Sequence, residues 1–99
     1  SLVGADLQQL DSLDHSDLSS LYLAGPEADL AHLSVQQANL QGVWFYGMDL
    51  ARTDFRGSDL SNGALMGVRG DAIFANARLE NATFGKLDTT VQGSLSSKT

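Results

Sequence analysis

Read in fives from Ala28, the chain sets an apolar residue at every third position: Leu30, Val35, Leu40, Phe45, Leu50, Phe55, Leu60 and Leu65. Leu, Val and Phe make up about a quarter of the chain, so eight such centres in a fixed register arise by chance about once in 10⁵. The residue before the centre is Asp or Asn in five of the eight repeats, at Asp29, Asn39, Asp49, Asp54 and Asp59. The pattern continues with slips. Phe74, Leu79 and Phe84 carry it on after one residue is dropped, and Leu18 with Leu23 and Leu2 with Leu7 keep the spacing upstream. All four Phe residues fall on centres.

A period of five suits neither ordinary element, since a helix repeats every 3.6 residues and a strand every 2. It describes a chain that turns a quarter revolution per repeat and points one side chain inward each time. Four repeats then close one coil, and coils about 4.8 Å apart pair as parallel ladders. Each coil buries its inward row only by stacking on a neighbour, which makes the predicted fold an all-β solenoid.

Ala28–His32 (Ala-Asp-Leu-x-x) and Ala38–Gly42 (Ala-Asn-Leu-x-x) resemble the repeats of the pentapeptide-repeat family. The resemblance covers 28–86 firmly and 1–25 loosely. It implies a right-handed quadrilateral parallel β-helix, here of about four coils, with the central Leu or Phe and the small residue two before it facing inward. Leu33, Val43 and Met48 are large for that small site, and Trp44 stands where Asp or Asn is usual. The family implies no single activity.

Adding twenty and absorbing the slips gives four columns: Leu30–Leu50, broken at Val68-Arg69-Gly70; Val35–Phe55–Phe74; Leu18–Leu40–Leu60–Leu79; and Leu23–Phe45–Leu65–Phe84. The expected core is Leu30, Val35, Leu40, Phe45, Leu50, Phe55, Leu60, Leu65, Phe74, Leu79 and Phe84. Three segments are expected: 1–27 as an irregular coil or cap, 28–86 as the β-helix, and 87–99 as a polar tail, frayed or a linker. Leu7, Leu10, Leu18 and Leu21 also suit a helix face that Asp6 could cap, so coil and helical cap both stand for 1–25. Gly25-Pro26-Glu27 and Val68–Asp71 mark the two slips, the second a bulged or shortened corner.

Composition then narrows the function. The 99 residues carry a net charge of −6 and no Cys, which excludes disulfides and thiolate metal sites and argues against direct nucleic-acid binding. All six Lys and Arg lie in residues 51–99, so the first half is strongly acidic. No apolar run is long enough to span a membrane, and no secretory leader pattern is visible, so the expected location is cytoplasmic, with a secreted effector or a processed lumenal protein as alternatives. The chain opens Ser-Leu-Val-Gly without Met, the mark of a processed product or an excised domain.

Candidate chemistry is sparse. Asp11, Asp14, His15 and Asp17 form the one dense acidic cluster with a His, which reads as a solvated loop rather than a metal site; no metal or cofactor is expected. His32 occupies an outward slot. No catalytic residues are expected, because no nucleophile context is visible and Asp54 and Asp59 are pattern residues that satisfy corner backbone donors. Gly42, Gly47, Gly57 and Gly67 occupy the fifth repeat position and serve tight turns. Arg69-Gly70-Asp71 matches an adhesion tripeptide and Asn81-Ala82-Thr83 a glycosylation acceptor, both short enough to occur by chance.

The most informative surface feature is aromatic. Tyr22, Trp44, Tyr46 and Met66 flank the centres Leu23, Phe45 and Leu65, and they include the only Trp and both Tyr of the chain. Such clusters have the composition of binding hot spots, or they fold down as a lid over neighbouring side chains. The chain therefore reads as a non-enzymatic scaffold whose aromatic face takes a protein partner or a second copy. Two alternatives follow from the resemblance: a DNA mimic that engages DNA gyrase, as quinolone-resistance members do, or the β-helix domain of a larger bacterial effector or enzyme.

Overall fold

The computed structural model describes residues 12–25, 30–87 and 89–96. The expectations for Leu2, Asp6, Leu7, Leu10, Asp11 and residues 26–29 lie outside these. Four three-residue strands, β1 (Tyr22–Ala24), β2 (Trp44–Tyr46), β3 (Ala64–Met66) and β4 (Thr83–Gly85), precede one helix, α1 (Thr89–Ser96). The strands form a single parallel sheet in the order β1-β2-β3-β4, with Leu23, Phe45, Leu65 and Phe84 in register.

Parallel pairing recurs away from this sheet. Ser12, Ser34, Asp54 and Ile73 form one ladder, Asp17, Asn39, Asp59 and Arg78 a second, and Asp49 pairs with Arg69. Of the N-terminal segment, Ser12, Asp17 and β1 pair within these ladders, and no helix forms among the described residues 12–25. Partners lie 22 residues apart between the first two layers, 20 between the next and 19 between the last.

Local geometry explains the five-residue period. The carbonyl of a centre accepts the N–H three residues on, as in Leu30 from Leu33, Leu40 from Val43, Leu50 from Thr53 and Leu60 from Gly63, at 3.0–3.1 Å. The second residue after the centre has positive φ at these corners and at Val35–Ala38, whether Gly42 or Gly57 or a side-chain-bearing His32, Gln37, Arg52, Asn62 or Asn76. A left-handed residue costs about 1–2 kcal/mol when it carries a Cβ, so Gly and Asn are the natural choices there. The drop to 19 occurs at Val68–Asp71, where Gly70 stands on the Leu50 column and Leu50 N–H donates to the Arg69 carbonyl at 2.7 Å. At Gly70, φ is 106°, and a Cβ would fall 2.4 Å from Ala51 N, so this shortened corner admits only glycine.

The inward row forms the core. Leu30, Val35, Leu40, Phe45, Leu50, Phe55, Leu60, Leu65 and Phe74 are buried. Phe55 stacks on Phe74 with ring centroids 5.4 Å apart, and Phe45 meets Phe55 at 6.0 Å. The oversized Leu33, Val43 and Met48 are buried as well. Gly63 above Val43 makes room, because a Cβ at 63 would meet Val43 O at 3.1 Å and Val43 Cγ1 at 3.4 Å. Thr53 and Ser58 occupy the small site as buried hydroxyls: Thr53 Oγ1 donates to the Leu30 carbonyl and Ser58 Oγ to the Val35 carbonyl of the layer below.

Two expectations are corrected at the last layer. Phe84, placed in the core by its register, is 39% exposed, because β4 is the edge of the sheet and no further strand of the described residues covers it; Leu79 is half-buried against the core. Of residues 87–99, expected as a polar tail, frayed or a linker, Thr89–Ser96 form α1, while 88 and 97–99 lie outside the described residues. Val91 of this helix is fully buried in the core, and Leu87 and Leu95 pack against it, so apolar contact holds α1 in place.

Candidate contact face

The sheet β1–β4 carries the aromatic residues. Its central row points inward, so the residues on either side of each centre point out. The column before the centres is Tyr22, Trp44, Ala64 and Thr83, and the column after them is Ala24, Tyr46, Met66 and Gly85. Tyr22, Trp44 and Tyr46 are 38%, 48% and 54% exposed. Tyr22 and Trp44, paired across β1 and β2, hold their rings 6.1 Å apart at 45°. Met66 is half-buried and lies across Gly85, where a Cβ would come within 2.5 Å of its Cε. The face thus alternates bulk and hollow. The aromatic pair of the first column stands below Ala64 and Thr83, and Ala24 lies below Tyr46 and Met66.

The other sides are mostly polar and bonded to themselves, with Ile73 beside α1 the apolar exception. Asp17, Asn39, Asp49, Asp54 and Asp59 each accept the backbone N–H two residues on, at 2.9–3.1 Å. Side chains also bridge layers: Gln36 Nε2 donates to Asp54 Oδ2, Gln41 Nε2 to Asp59 Oδ2, and Ser34 Oγ to Asp14 Oδ1. Each of these bonds favours the ionised carboxylate. Arg56 above all holds the Asp54 carboxyl below its ordinary 3.8, Ser61 and Gln41 do the same for Asp59, and Ser34 with the Gln36 N–H for Asp14. Arg56 is raised in turn by Asp54, with Nη2 2.6 Å from Oδ2.

The remaining candidates disperse in the same way. Asp14 turns to Ser34 and Asp17 to Ser19, so the acidic loop does not converge, and among the described residues no three His, Cys, Asp or Glu side chains cluster as metal ligands. His32 is exposed at its corner. The Arg69-Gly70-Asp71 tripeptide is built into the short corner: Asp71 accepts the Arg52 N–H at 3.1 Å, and Arg69 Nη1 donates to the Gly47 carbonyl at 3.3 Å.

One feature escaped the sequence reading. An open groove of about 430 Å³ runs between α1 and the last layer, lined by Asp71, Ala72, Ile73, Phe74, Thr90 and Gly93 among others. Ile73 is 40% exposed. The signal for it was Leu87, Val91 and Leu95, spaced by four as on a helix face. Asp71 is the one titratable side chain of its lining, which offers no acid–base pair.

In-register parallel layers of five-residue corners define a β-helix built from repeats. Comparison with known families agrees: the model for pentapeptide repeats matches residues 36–69 in eight copies, so that stretch carries the repeats of that family. No curated protein matches the chain. Among the described residues no helix is long and apolar enough to cross a membrane.

Proposed function

We propose that the chain is a non-enzymatic contact module, a right-handed quadrilateral β-helix of about four coils whose aromatic sheet face binds a second copy of itself. The observation that carries this reading is the exposure of Tyr22, Trp44 and Tyr46 together on one sheet, while the other sides bond to themselves. The occupant follows from the pattern of bulk. A two-fold axis lying in the face and perpendicular to the coil stack turns one copy end for end. Tyr22 and Trp44 then meet Thr83 and Ala64 of the second copy, Tyr46 meets Met66, and Ala24 meets Gly85. Large residues of one copy face small ones of the other in the first column, as an isologous contact requires.

The face is small. Four three-residue strands about 4.8 Å apart make a face of about 10 × 15 Å, or about 150 Å², well short of the ~800 Å² per partner of standard interfaces, so the dimer is weak, with Kd about 0.1–1 mM. Sedimentation equilibrium at rising concentration tests it. The parent should dimerise, and Trp44→Ser should weaken dimerisation about tenfold or more with little change in melting temperature. A parent that stays monomeric and melts far above the variant would instead make the aromatics a lid. The gyrase reading has less support: extents of 29 × 25 × 21 Å describe no rod, and Asp14, Asp17, Asp54 and Asp59 are engaged in internal hydrogen bonds.

A further inference from the structure

We propose that Asn62-Gly63 is a deamidation site which the fold keeps silent and unfolding releases, so that prolonged unfolding of this chain becomes chemically irreversible. Two structural demands create the dipeptide. Residue 62 is a corner with φ of 62°, which favours Asn among side-chain-bearing residues. Residue 63 fills the small inward site, where a Cβ would crowd Leu60 O at 3.0 Å and Val43 O at 3.1 Å, which favours Gly. Asn-Gly occurs once in the sequence; Asn39, Asn76 and Asn81 precede Leu or Ala, whose side chains crowd the attacking nitrogen.

The chemistry is internal. The Gly63 backbone nitrogen loses its proton and attacks Asn62 Cγ, and the C–N bond of the side-chain amide breaks with release of ammonia. Water then opens the resulting succinimide at either carbonyl, giving Asp or isoaspartate. In the folded chain the attacking group is restrained. Gly63 N–H donates to the Leu60 carbonyl at 3.0 Å and is buried. Asn62 N–H donates to Glu80 O at 2.9 Å and Ala64 N–H to Val43 O at 2.8 Å, which pins both flanks. Attack requires this corner to open. Isoaspartate routes the main chain through the side chain and adds a methylene, which displaces Gly63 and Ala64 from their partners in the adjacent layers.

The test incubates the parent at mildly alkaline pH, folded or in guanidinium, and maps isoaspartate by peptide mass spectrometry and isoaspartyl methyltransferase labelling. Residue 62 should convert at least about tenfold faster when unfolded, and up to about 1,000-fold if only global unfolding frees the corner. Refolding yield should fall with time in denaturant for the parent but hold for Asn62→Gly, which keeps the left-handed corner and removes the amide. Equal rates in both states, or equal loss of refolding in parent and variant, would overturn the proposal.

Discussion

Removing the Ser58 hydroxyl probes the stacking of layers at its most exacting point. Most corners close by a direct bond from the N–H at the fourth residue to the centre's carbonyl, but at Val35–Ala38 the hydroxyl of the layer above stands between them. Ser58 Oγ accepts the Ala38 N–H at 3.0 Å and donates to the Val35 carbonyl, wholly inside the core. Ser58→Ala leaves a buried donor and a buried acceptor unmatched, each worth about 1–3 kcal/mol, for a total of about 2–4 kcal/mol after partial relaxation. For a chain of this length that corresponds to a fall of about 10–25 °C in melting temperature. Thr53→Val is the control. It removes an equally buried hydroxyl, but the Leu30 carbonyl that accepts from Thr53 keeps the Leu33 N–H at 3.1 Å, so the cost should stay within about 1 kcal/mol. Urea unfolding followed by circular dichroism gives both values. If Ser58→Ala cost no more than Thr53→Val, the corner closes without the hydroxyl and the bridging role is wrong.

The same geometry makes further outcomes definite. Leu60→Asp should unfold the chain by burying an unpaired charge, while Asp59→Ser, which loses bonds at a partly exposed corner, should be far milder; equal thermal melts would contradict the register. Gly70→Ala should destabilise by about 3 kcal/mol or more, since the added carbon collides with Ala51 backbone, and a melt unchanged from the parent would show that the corner can move. The carboxyls of Asp14, Asp17, Asp54, Asp59 and Glu80 are all held below their ordinary values in the folded chain. Their contribution is therefore present above the unfolded values near pH 4 and is lost as pH falls through the folded ones. Melting temperature should be level from pH 7 to about 5 and decline below about 4; a rise toward pH 3 would contradict this. Gyrase supercoiling should be unaffected by the chain, and salt-sensitive inhibition lost on neutralising Asp6, Asp14, Asp17 and Asp29 together would favour the DNA-mimic reading.

Much of this architecture was legible because the period of five leaves the chain few options. The centres Val35, Phe55 and Phe74 stack as their spacing implied, and the Asp or Asn before a centre bonds the corner N–H. Less visible was whatever depends on a neighbour in the next layer. Ser58 looks like any small residue until the unmatched groups of Val35 and Ala38 are known. Phe84 has the register of a core residue, and only its place on the edge strand exposes it. The helix at Thr89–Ser96 was masked by its Ser, Thr and Gly, which are poor helix formers, although Leu87, Val91 and Leu95 share the face that packs on the core. The aromatic patch followed from register alone, but the bed that Gly85 provides for Met66 did not.

The contact face is tested most directly by cross-linking, which the absence of Cys makes clean. Tyr22→Cys chains are mixed with Thr83→Cys chains and oxidised under mild conditions. An end-for-end dimer sets residue 22 of one copy opposite residue 83 of the other, so the mixed disulfide should exceed either self-linked product and should vanish when both chains also carry Trp44→Ser. Self-linked products equal to the mixed one, or a yield indifferent to Trp44, would contradict an aromatic face that pairs with itself.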